Sequence, residues 1–366
     1  MRNRRDFLKD TFGATAGVVF VGCNIGHLHA APQAGAAAGA SSVTIGGRRV
    51  RAIDVHAHCI VPEAIEIAAK DPKFQGPIHA PDGAPLTAGP ERAQAMARQR
   101  IDVEVLSINP FWYPMDRDLS DQIIRVQNEK MAELCQANPD RYKAFASVAL
   151  QHPDMAVKQL EDAVTKLGMP GCCLGGSVND EELSSQRFEP FWAKAEELGA
   201  TVFIHPQGAP TLASRLKGNG MLANVIGYPV ETTIALAHLI FDGVFDRYPK
   251  LKICAAHGGG FIGSYAPRFD HGCEVFPMNC MPNVPKKKPT EYLKQVYFDS
   301  LVFTSEALRH LVAEMGIGQI VLGTDHPYPW VADAVGHVLN TPGLSDTDKI
   351  AILSGNAERM LKTGGS

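Results

Sequence analysis

The segment Arg51-Ala-Ile-Asp54-Val-His56-Ala-His58 is the most informative part of the sequence for the fold. Its apolar run ends on two histidines, and side chains two residues apart on a strand point to the same side. His56 and His58 can therefore bind one ion. Three later strand-like runs also end on polar side chains, namely His205 after 201–204, His257 after 251–256 and Asp325 after 319–322. Side chains at the ends of different strands converge only where those strands are parallel neighbours. Their order therefore predicts a metal site at one end of a parallel barrel.

Strand-like and helical patterns alternate from Arg51 onward. The predicted strands are 51–55, 102–108, 142–149, 170–174, 201–204, 251–256, 296–299 and 319–322. They are short and mostly apolar, which is typical of parallel strands covered on both faces. Helical spacing predicts helices over 121–137, 153–167, 184–198, 229–245 and 305–315. Eight strands with helices between them predict an α/β fold, a (β/α)₈ TIM barrel over residues 51–366. Proline-rich insertions at 71–90 and 273–289 are predicted at its rims.

The N-terminal residues 1–30 predict a twin-arginine export signal. Arg4-Arg5-Asp6-Phe7-Leu8-Lys9 has the basic pair, and the apolar stretch that follows is too short for a transmembrane segment. We expect cleavage near His29-Ala30-Ala31, a small-residue-rich linker over 31–50, and a periplasmic mature protein. A lipoprotein cleavage site at Cys23 is the alternative.

The composition narrows the class of partner. The 366 residues are 45% apolar and 20% charged, which is ordinary for a globular protein with one core. The formal net charge is −4 and no long basic stripe is present, so we expect no nucleic-acid partner. The run 286–288 holds three lysines between prolines and is predicted to be a solvated loop.

The cysteines do not form a recognisable motif. Eight are present, seven of them outside the leader, and none lies in a Cys-x-x-Cys pair. Pairing among Cys254, Cys273 and Cys280 is left open by the sequence. Buried free thiols are the favoured interpretation.

The predicted ligands suit one divalent cation. Three nitrogens from His56, His58 and His205 and one oxygen from Asp325 leave room for water, as in a catalytic zinc site. Taken singly, His205 could be a structural histidine and Asp325 a helix cap. Nitrogen-rich ligation favours Zn²⁺, with Mn²⁺ as the alternative.

A fourth histidine has two interpretations. His257, followed by Gly258 to Gly260, can approach a substrate and act as a general acid or base toward metal-bound water, or it can bind a second metal. The run 169–174 contains no lysine that could be carbamylated to bridge two ions. A mononuclear site is therefore favoured.

The span from Arg51 to Leu361 resembles the amidohydrolase superfamily, in the amidohydrolase-2 branch. Within that branch it is similar to the family of 2-amino-3-carboxymuconate-6-semialdehyde decarboxylases. The resemblance is carried by Asp54-Val-His56-Ala-His58, Phe203-Ile-His205-Pro206, Gly227-Tyr-Pro-Val-Glu231-Thr232-Thr233, Phe245-Asp-Arg-Tyr-Pro-Lys-Leu-Lys, His257-Gly-Gly-Gly260, Arg268-Phe-Asp-His271-Gly272 and Leu322-Gly-Thr-Asp325-His-Pro327. The block from Gly227 to Gly272 is the most specific of these.

The resemblance implies roles for individual residues. It implies zinc held by His56, His58, His205 and Asp325, with His257 as the acid/base. It also implies that Arg92 and Arg268 recognise a substrate carboxylate, with Arg268 supplied by the neighbouring subunit of a homodimer. The alternative is that both are surface arginines.

One residue departs from the family pattern. Relatives that act on the aminomuconate substrate carry tryptophan after His-Pro, whereas this chain has Gln207. The resemblance therefore supports the type of reaction more strongly than the identity of the substrate.

We expect a zinc-dependent decarboxylase of an unsaturated or aromatic carboxylic acid, which is a carbon-carbon lyase. His257 and Asp325 are expected to transfer the proton that replaces the carboxylate on carbon. Hydrolysis of an ester, lactone or amide, and hydration of a conjugated double bond, are the enzymatic alternatives on the same scaffold. A periplasmic zinc-binding or structural protein is the non-enzymatic alternative.

Overall fold

A computed structural model describes residues 42–72, 74 and 86–363 of the chain. The predicted export signal, Cys23 and most of the insertion 71–90 lie outside these residues. No helix in the described ranges has both the length and the apolar character needed to span a membrane.

Eight parallel strands form the barrel. They are β1 (Ile53–His58), β2 (Val103–Ser107), β3 (Tyr142–Ala144), β4 (Gly171–Leu174), β5 (Thr201–Ile204), β6 (Lys252–Ala255), β7 (Tyr297–Asp299) and β8 (Ile320–Val321). Consecutive strands pair from β1 to β3 and from β4 to β8. Backbone hydrogen bonds join the two sheets, from Cys173 to the Ala146 carbonyl and from Val55 to the Leu322 carbonyl, both at 2.9 Å. The predicted (β/α)₈ architecture is confirmed.

Helices surround the strands. Their bounds are Pro62–Ala68, Pro90–Gln99, Arg117–Ala137, Pro153–Thr165, Glu189–Leu198, Leu222–Val225, Gly227–Phe241, Val244–Arg247, Ile262–Val275, Pro289–Leu293, Ser305–Met315, Ala334–Asn340, Asp346–Ile350 and Asn356–Met360. The predicted helix 229–245 is divided because Gly243 adopts a φ of 77°. The predicted helix 184–198 begins only at Glu189, after a 3₁₀ turn.

The predicted linker ends earlier than residue 50. Thr44–Ile45 pairs with Arg48–Arg49 in a two-stranded hairpin. Val43, Ile45 and Val50 are buried in the hydrophobic core. The boundary at residue 50 is wrong, because these apolar side chains pack with the barrel unit.

The barrel interior supports the histidines of β1. Val55, Val103, Val105 and Phe203 belong to the inner hydrophobic cluster. The pairing of β1 with β2 shifts register between Asp54 and Ala57. Such a bulge re-aims the side chains that follow it. Consequently His56 follows the inward-facing Val55 and still points inward, and its ring centroid lies 5.2 Å from that of Phe203.

The prediction of free thiols was wrong for two cysteines. Cys273 and Cys280 form a disulfide in the rim insertion. The end of the helix Ile262–Val275 and the 3₁₀ turn Pro277–Cys280 bring their Cα atoms to 5.9 Å. Cys254 is a buried free thiol, as expected.

Candidate metal centre

The four predicted ligands meet at the carboxyl ends of the strands. His56 and His58 end β1, His205 follows β5, and Asp325 follows β8. One candidate ligand atom from each lies within 4.8 Å of the others, and all four residues are buried. The Nε2 atoms of His56 and His58 are 3.1 Å apart, and the His58 Nε2 is 2.9 Å from Oδ1 of Asp325. The group has the ligand number and atom types of a divalent-metal site.

His205 shows most directly that this group suits a cation. Its ring centroid lies 4.5 Å from that of His58, yet both of its ring nitrogens are buried without a hydrogen-bond partner. Burial, followed by the neighbouring imidazoles, holds the pKa of His205 well below its usual range. The ring is therefore neutral and keeps a lone pair. Buried polar atoms normally have a hydrogen-bond partner or a metal to bind. A metal ion is a suitable partner for the lone pair of this imidazole.

Asp299 orients His56 from behind. Burial alone would raise the pKa of Asp299, but His56 and the surrounding hydrogen bonds hold it below the usual range, so the carboxylate is ionised. Nδ1 of His56 donates to its Oδ2 at 2.6 Å, which leaves Nε2 to face the other ligands. The backbone amides of His257 and Gly258 also donate to Asp299, at 2.8 and 2.9 Å. Asp299 ends the predicted run 296–299, but no motif in the sequence marks it as a site residue.

Asp54 fixes the turn that presents Asp325. Its carboxylate accepts hydrogen bonds from the Thr324 amide at 3.1 Å, the Thr324 hydroxyl at 2.5 Å and the His56 amide at 3.0 Å. Burial, and next the nearby Glu104, raise the pKa of Asp54 to about 7. Asp325 itself adopts a φ of 61°, a conformation that non-glycine residues hold only where surrounding structure enforces it.

His257 lies at the open side of the group. Its Nε2 is 3.7 Å from Oδ2 of Asp325, and its side chain is 17% exposed, against 4% for His58. It begins a 3₁₀ turn, and the helix that follows starts at Ile262. Its backbone φ is 55°, and its ring centroid lies 5.1 Å from that of His56 and 5.2 Å from that of His205. The position suits an acid/base that meets a substrate from solvent.

Arg92 lies behind the metal centre. Its side chain is fully buried, its Nε donates to Glu104 at 2.6 Å, and its Nη1 donates to the His58 carbonyl at 2.8 Å. The alternative of a surface arginine is wrong for Arg92. The predicted contact with a substrate carboxylate stays a prediction.

Arg268 is not brought to the metal centre within this chain. It is exposed on the helix Ile262–Val275 and lines a surface cavity with Phe241, Phe276 and the Cys273–Cys280 disulfide. Its supply to a neighbouring subunit stays a prediction.

Further side chains around the opening were not recognised from the sequence. The ring centroids of Tyr228 and Tyr328 lie 6.2 Å from His205 and 5.8 Å from His58, respectively. Glu231 accepts the backbone amides of Gln207 and Gly208 at 2.6 and 2.7 Å. It thereby holds the segment after His205 in place. Glu231 was quoted only as part of a motif, because its role depends on a contact across the chain.

The amidohydrolase family profile matches residues 53–363. The chain belongs to the amidohydrolase family. This confirms the resemblance drawn from the motifs, and the matched range contains every candidate ligand.

Several known proteins similar to this family member are decarboxylases. The 2-amino-3-carboxymuconate-6-semialdehyde decarboxylase of Dictyostelium discoideum is 34% identical over 273 residues, 74% of this chain and 75% of that protein. The gamma-resorcylate decarboxylase of Rhizobium sp. (strain MTP-10005) is 27% identical over 292 residues, 75% and 87% of the two chains. The crystal structure of 5-carboxyvanillate decarboxylase from Sphingomonas paucimobilis superposes with a TM-score of 0.77 at 25% identity, covering 86% and 99%. Two more distant decarboxylase structures that share the fold contain bound manganese.

Proposed function

We propose that this amidohydrolase is a divalent-metal-dependent carboxy-lyase that removes carbon dioxide from an aromatic or unsaturated carboxylic acid. The observation that carries the proposal is the buried convergence of three histidines and one aspartate beside the more accessible His257. The decarboxylases among its relatives favour this chemistry over others that the scaffold can support.

His56, His58, His205 and Asp325 would hold the cation. When bound, it supplies a Lewis acid that orients the substrate and stabilises developing negative charge. Zinc suits the nitrogen-rich ligand set, and manganese is supported by its presence in decarboxylases of the same fold. The neutral imidazoles of His58 and His205 offer lone pairs without first losing a proton, because burial lowers the pKa of both.

His257 is assigned the proton transfer. Decarboxylation replaces a carboxylate on carbon by a proton, so one acid must reach the carbon from which carbon dioxide leaves. His257 is 3.7 Å from Asp325, which places the two groups in reach of one transferred proton with small adjustment. Asp325, buried and with a pKa held well below its usual range by His56 and His257 against the effect of burial, keeps the imidazole oriented.

Substrate binding is proposed to need a second subunit. Within one chain, Arg268 is exposed and lines a cavity that includes none of the four candidate ligands, so its guanidinium would reach a substrate carboxylate from the neighbouring copy of a homodimer. Gln207, in place of the tryptophan of aminomuconate-specific relatives, favours an acid other than the aminomuconate.

One experiment separates this function from its rivals. Purified metal-loaded protein should be incubated with a panel of hydroxybenzoic, vanillic-type and muconate-type acids, and with corresponding esters, lactones and amides, while carbon dioxide and product mass are measured. Decarboxylation predicts carbon dioxide and a product lighter by that mass. Hydrolysis predicts two fragments from an ester or amide and a single product heavier by one water from a lactone. Hydration of a double bond also predicts a gain of one water, and neither reaction releases carbon dioxide. Either of those results would refute the proposal.

We further propose export by the twin-arginine route to the periplasm. The proposal rests on Arg4-Arg5 and on the short apolar stretch that follows. Cell fractionation of the wild type and the variant Arg4→Lys/Arg5→Lys tests it. Wild-type protein should be periplasmic with an N-terminus near residue 30, and the variant should stay in the cytoplasm. A lipid-modified N-terminus at Cys23 would instead establish the lipoprotein alternative.

A further inference from the structure

A chain of buried charged side chains runs behind the metal centre. Glu104 lies on β2 between Val103 and Val105, whose side chains fill the barrel interior, so the Glu104 carboxylate faces the surrounding helices. It is 1% exposed, and it meets Arg92 from the helix Pro90–Gln99 and His326 from the segment after β8. None of these three residues is among the candidate metal ligands.

The first arm of this chain reaches His58. Oε2 of Glu104 accepts a hydrogen bond from Nε of Arg92 at 2.6 Å. Nη1 of Arg92 then donates to the carbonyl oxygen of His58 at 2.8 Å. The guanidinium is planar, so fixing one side of it by Glu104 also fixes the direction of the bond to His58.

The second arm reaches Asp325. Oε1 of Glu104 accepts a hydrogen bond from Nδ1 of His326 at 2.6 Å. The carbonyl of His326 accepts the amide of His58 at 2.6 Å, and the His326 amide donates to the Thr324 hydroxyl at 3.0 Å. The residue immediately after Asp325 is therefore tied both to Glu104 and to β1.

We propose that Glu104 is a positioning residue for the metal centre, linking the backbone at His58 to the backbone beside Asp325 across the seam of β1 and β8. The inference rests on the metal site of the proposed function. A buried ion pair stabilises a protein little beyond what apolar side chains of the same size achieve. Its placement directly behind two ligands from different strands instead gives it a geometric task, because partners behind the ligands of a metal tune its affinity.

The test separates positioning from stability. In the double variant Arg92→Met/Glu104→Met, apolar side chains replace the pair, so the fold should be retained while both arms are lost. Zinc affinity should be measured by competition with a chelator, together with thermal unfolding of the metal-free protein. We expect zinc affinity to fall by about 10- to 100-fold without a matching loss of thermal stability. The control Arg247→Met/Glu189→Met removes an Arg–Glu pair that makes no contact with the ligands, and it should bind zinc like the wild type.

A double variant that unfolds more readily but binds zinc within about twofold of the wild type would overturn the inference. The variant Glu104→Gln provides a second test, because it keeps the shape and weakens both hydrogen bonds by removing the charge. It should lower zinc affinity by at least threefold, on the order of half the logarithmic loss expected for the double variant, and wild-type affinity would again contradict the proposal. Failure of the decarboxylase proposal is distinguishable: the wild type would then bind zinc but release no carbon dioxide from any acid, and the zinc titrations would still decide the role of Glu104.

Discussion

Oδ2 of Asp299 lies 2.6 Å from Nδ1 of His56, and both side chains are completely buried. The same oxygen accepts the backbone amide of His257 at 2.8 Å. One carboxylate at the end of β7 therefore sets the direction of a candidate metal ligand on β1 and anchors the proposed acid/base after β6. Asp299 therefore contacts both His56 and His257, which have to be aligned with each other for the proposed reaction.

Replacing Asp299 by Asn should weaken metal binding. The amide still fits the space, but it is a weaker acceptor and cannot hold the His56 imidazole in one tautomer as firmly. We expect zinc affinity to fall by about 10- to 100-fold in a calorimetric titration. Asp270→Asn, which alters a carboxylate that accepts hydrogen bonds from the Thr290 amide and hydroxyl, serves as the control. Equal affinity in the wild type and Asp299→Asn would show that the contact does not tune the ligand.

Replacing His205 should abolish metal binding, whereas replacing His257 should abolish turnover but not metal binding. His205→Ala takes away a ligand nitrogen, so the purified variant should lose bound metal. His257→Ala should retain one metal per chain and lose turnover by about 10²- to 10⁴-fold, the range expected for an acid/base. Metal analysis and carbon dioxide release measured on the same samples check both. Metal loss from His257→Ala would reassign that residue as a ligand.

Zinc binding should strengthen as pH rises and should release one proton. Burial alone would lower the pKa of His56, but the Asp325 carboxylate and the Asp299 hydrogen bond raise it to about 10. At neutral pH the metal-free site therefore holds a proton that must leave before the cation binds. The apparent affinity should rise by about tenfold per pH unit between about pH 6.5 and 8. Calorimetry in buffers of different ionisation enthalpy measures the proton directly, and a value of zero at pH 7.5 would show that His56 is already neutral.

Replacing Gly260 and Gly272 by alanine should change the stability of the protein in opposite directions. Gly260 has a φ of +69°, and a Cβ there would lie 2.1 Å from the Pro229 carbonyl oxygen. Gly260→Ala should therefore lower the free energy of unfolding by about 2–5 kcal/mol, from strain and steric overlap together. Gly272 is helical and has nothing within 4 Å of such a Cβ. Gly272→Ala should raise stability by about 0.5–1 kcal/mol. Urea unfolding of both variants measures these changes. An equal loss of unfolding free energy in Gly260→Ala and Gly272→Ala would refute the prediction.

The sequence predicted the barrel and the convergence of the four candidate ligands because both depend on the order of short local segments. Each strand ends close to its polar residue, so the periodicity of the chain alone places His56, His205 and Asp325 at one end of a parallel barrel. The helix 305–315 was predicted to the residue, since Thr304 caps its first turn and Gly316 ends it.

The rest of the site depends on packing between distant segments. A two-residue pattern does not reveal the register shift that turns both Val55 and His56 inward. Nor can it show that Glu104, 222 residues from His326, bonds to it. The Cys273–Cys280 disulfide likewise requires the turn after Val275, which the proline content of the insertion suggested only as a loop.

The most direct measurement is anomalous diffraction from crystals of the zinc-loaded protein, recorded on both sides of the zinc absorption edge. One peak is predicted, about 2.0–2.2 Å from a ring nitrogen of His56, His58 and His205 and from a carboxylate oxygen of Asp325. A peak bound by other residues, or four side chains that turn away from any common ion, would contradict the account.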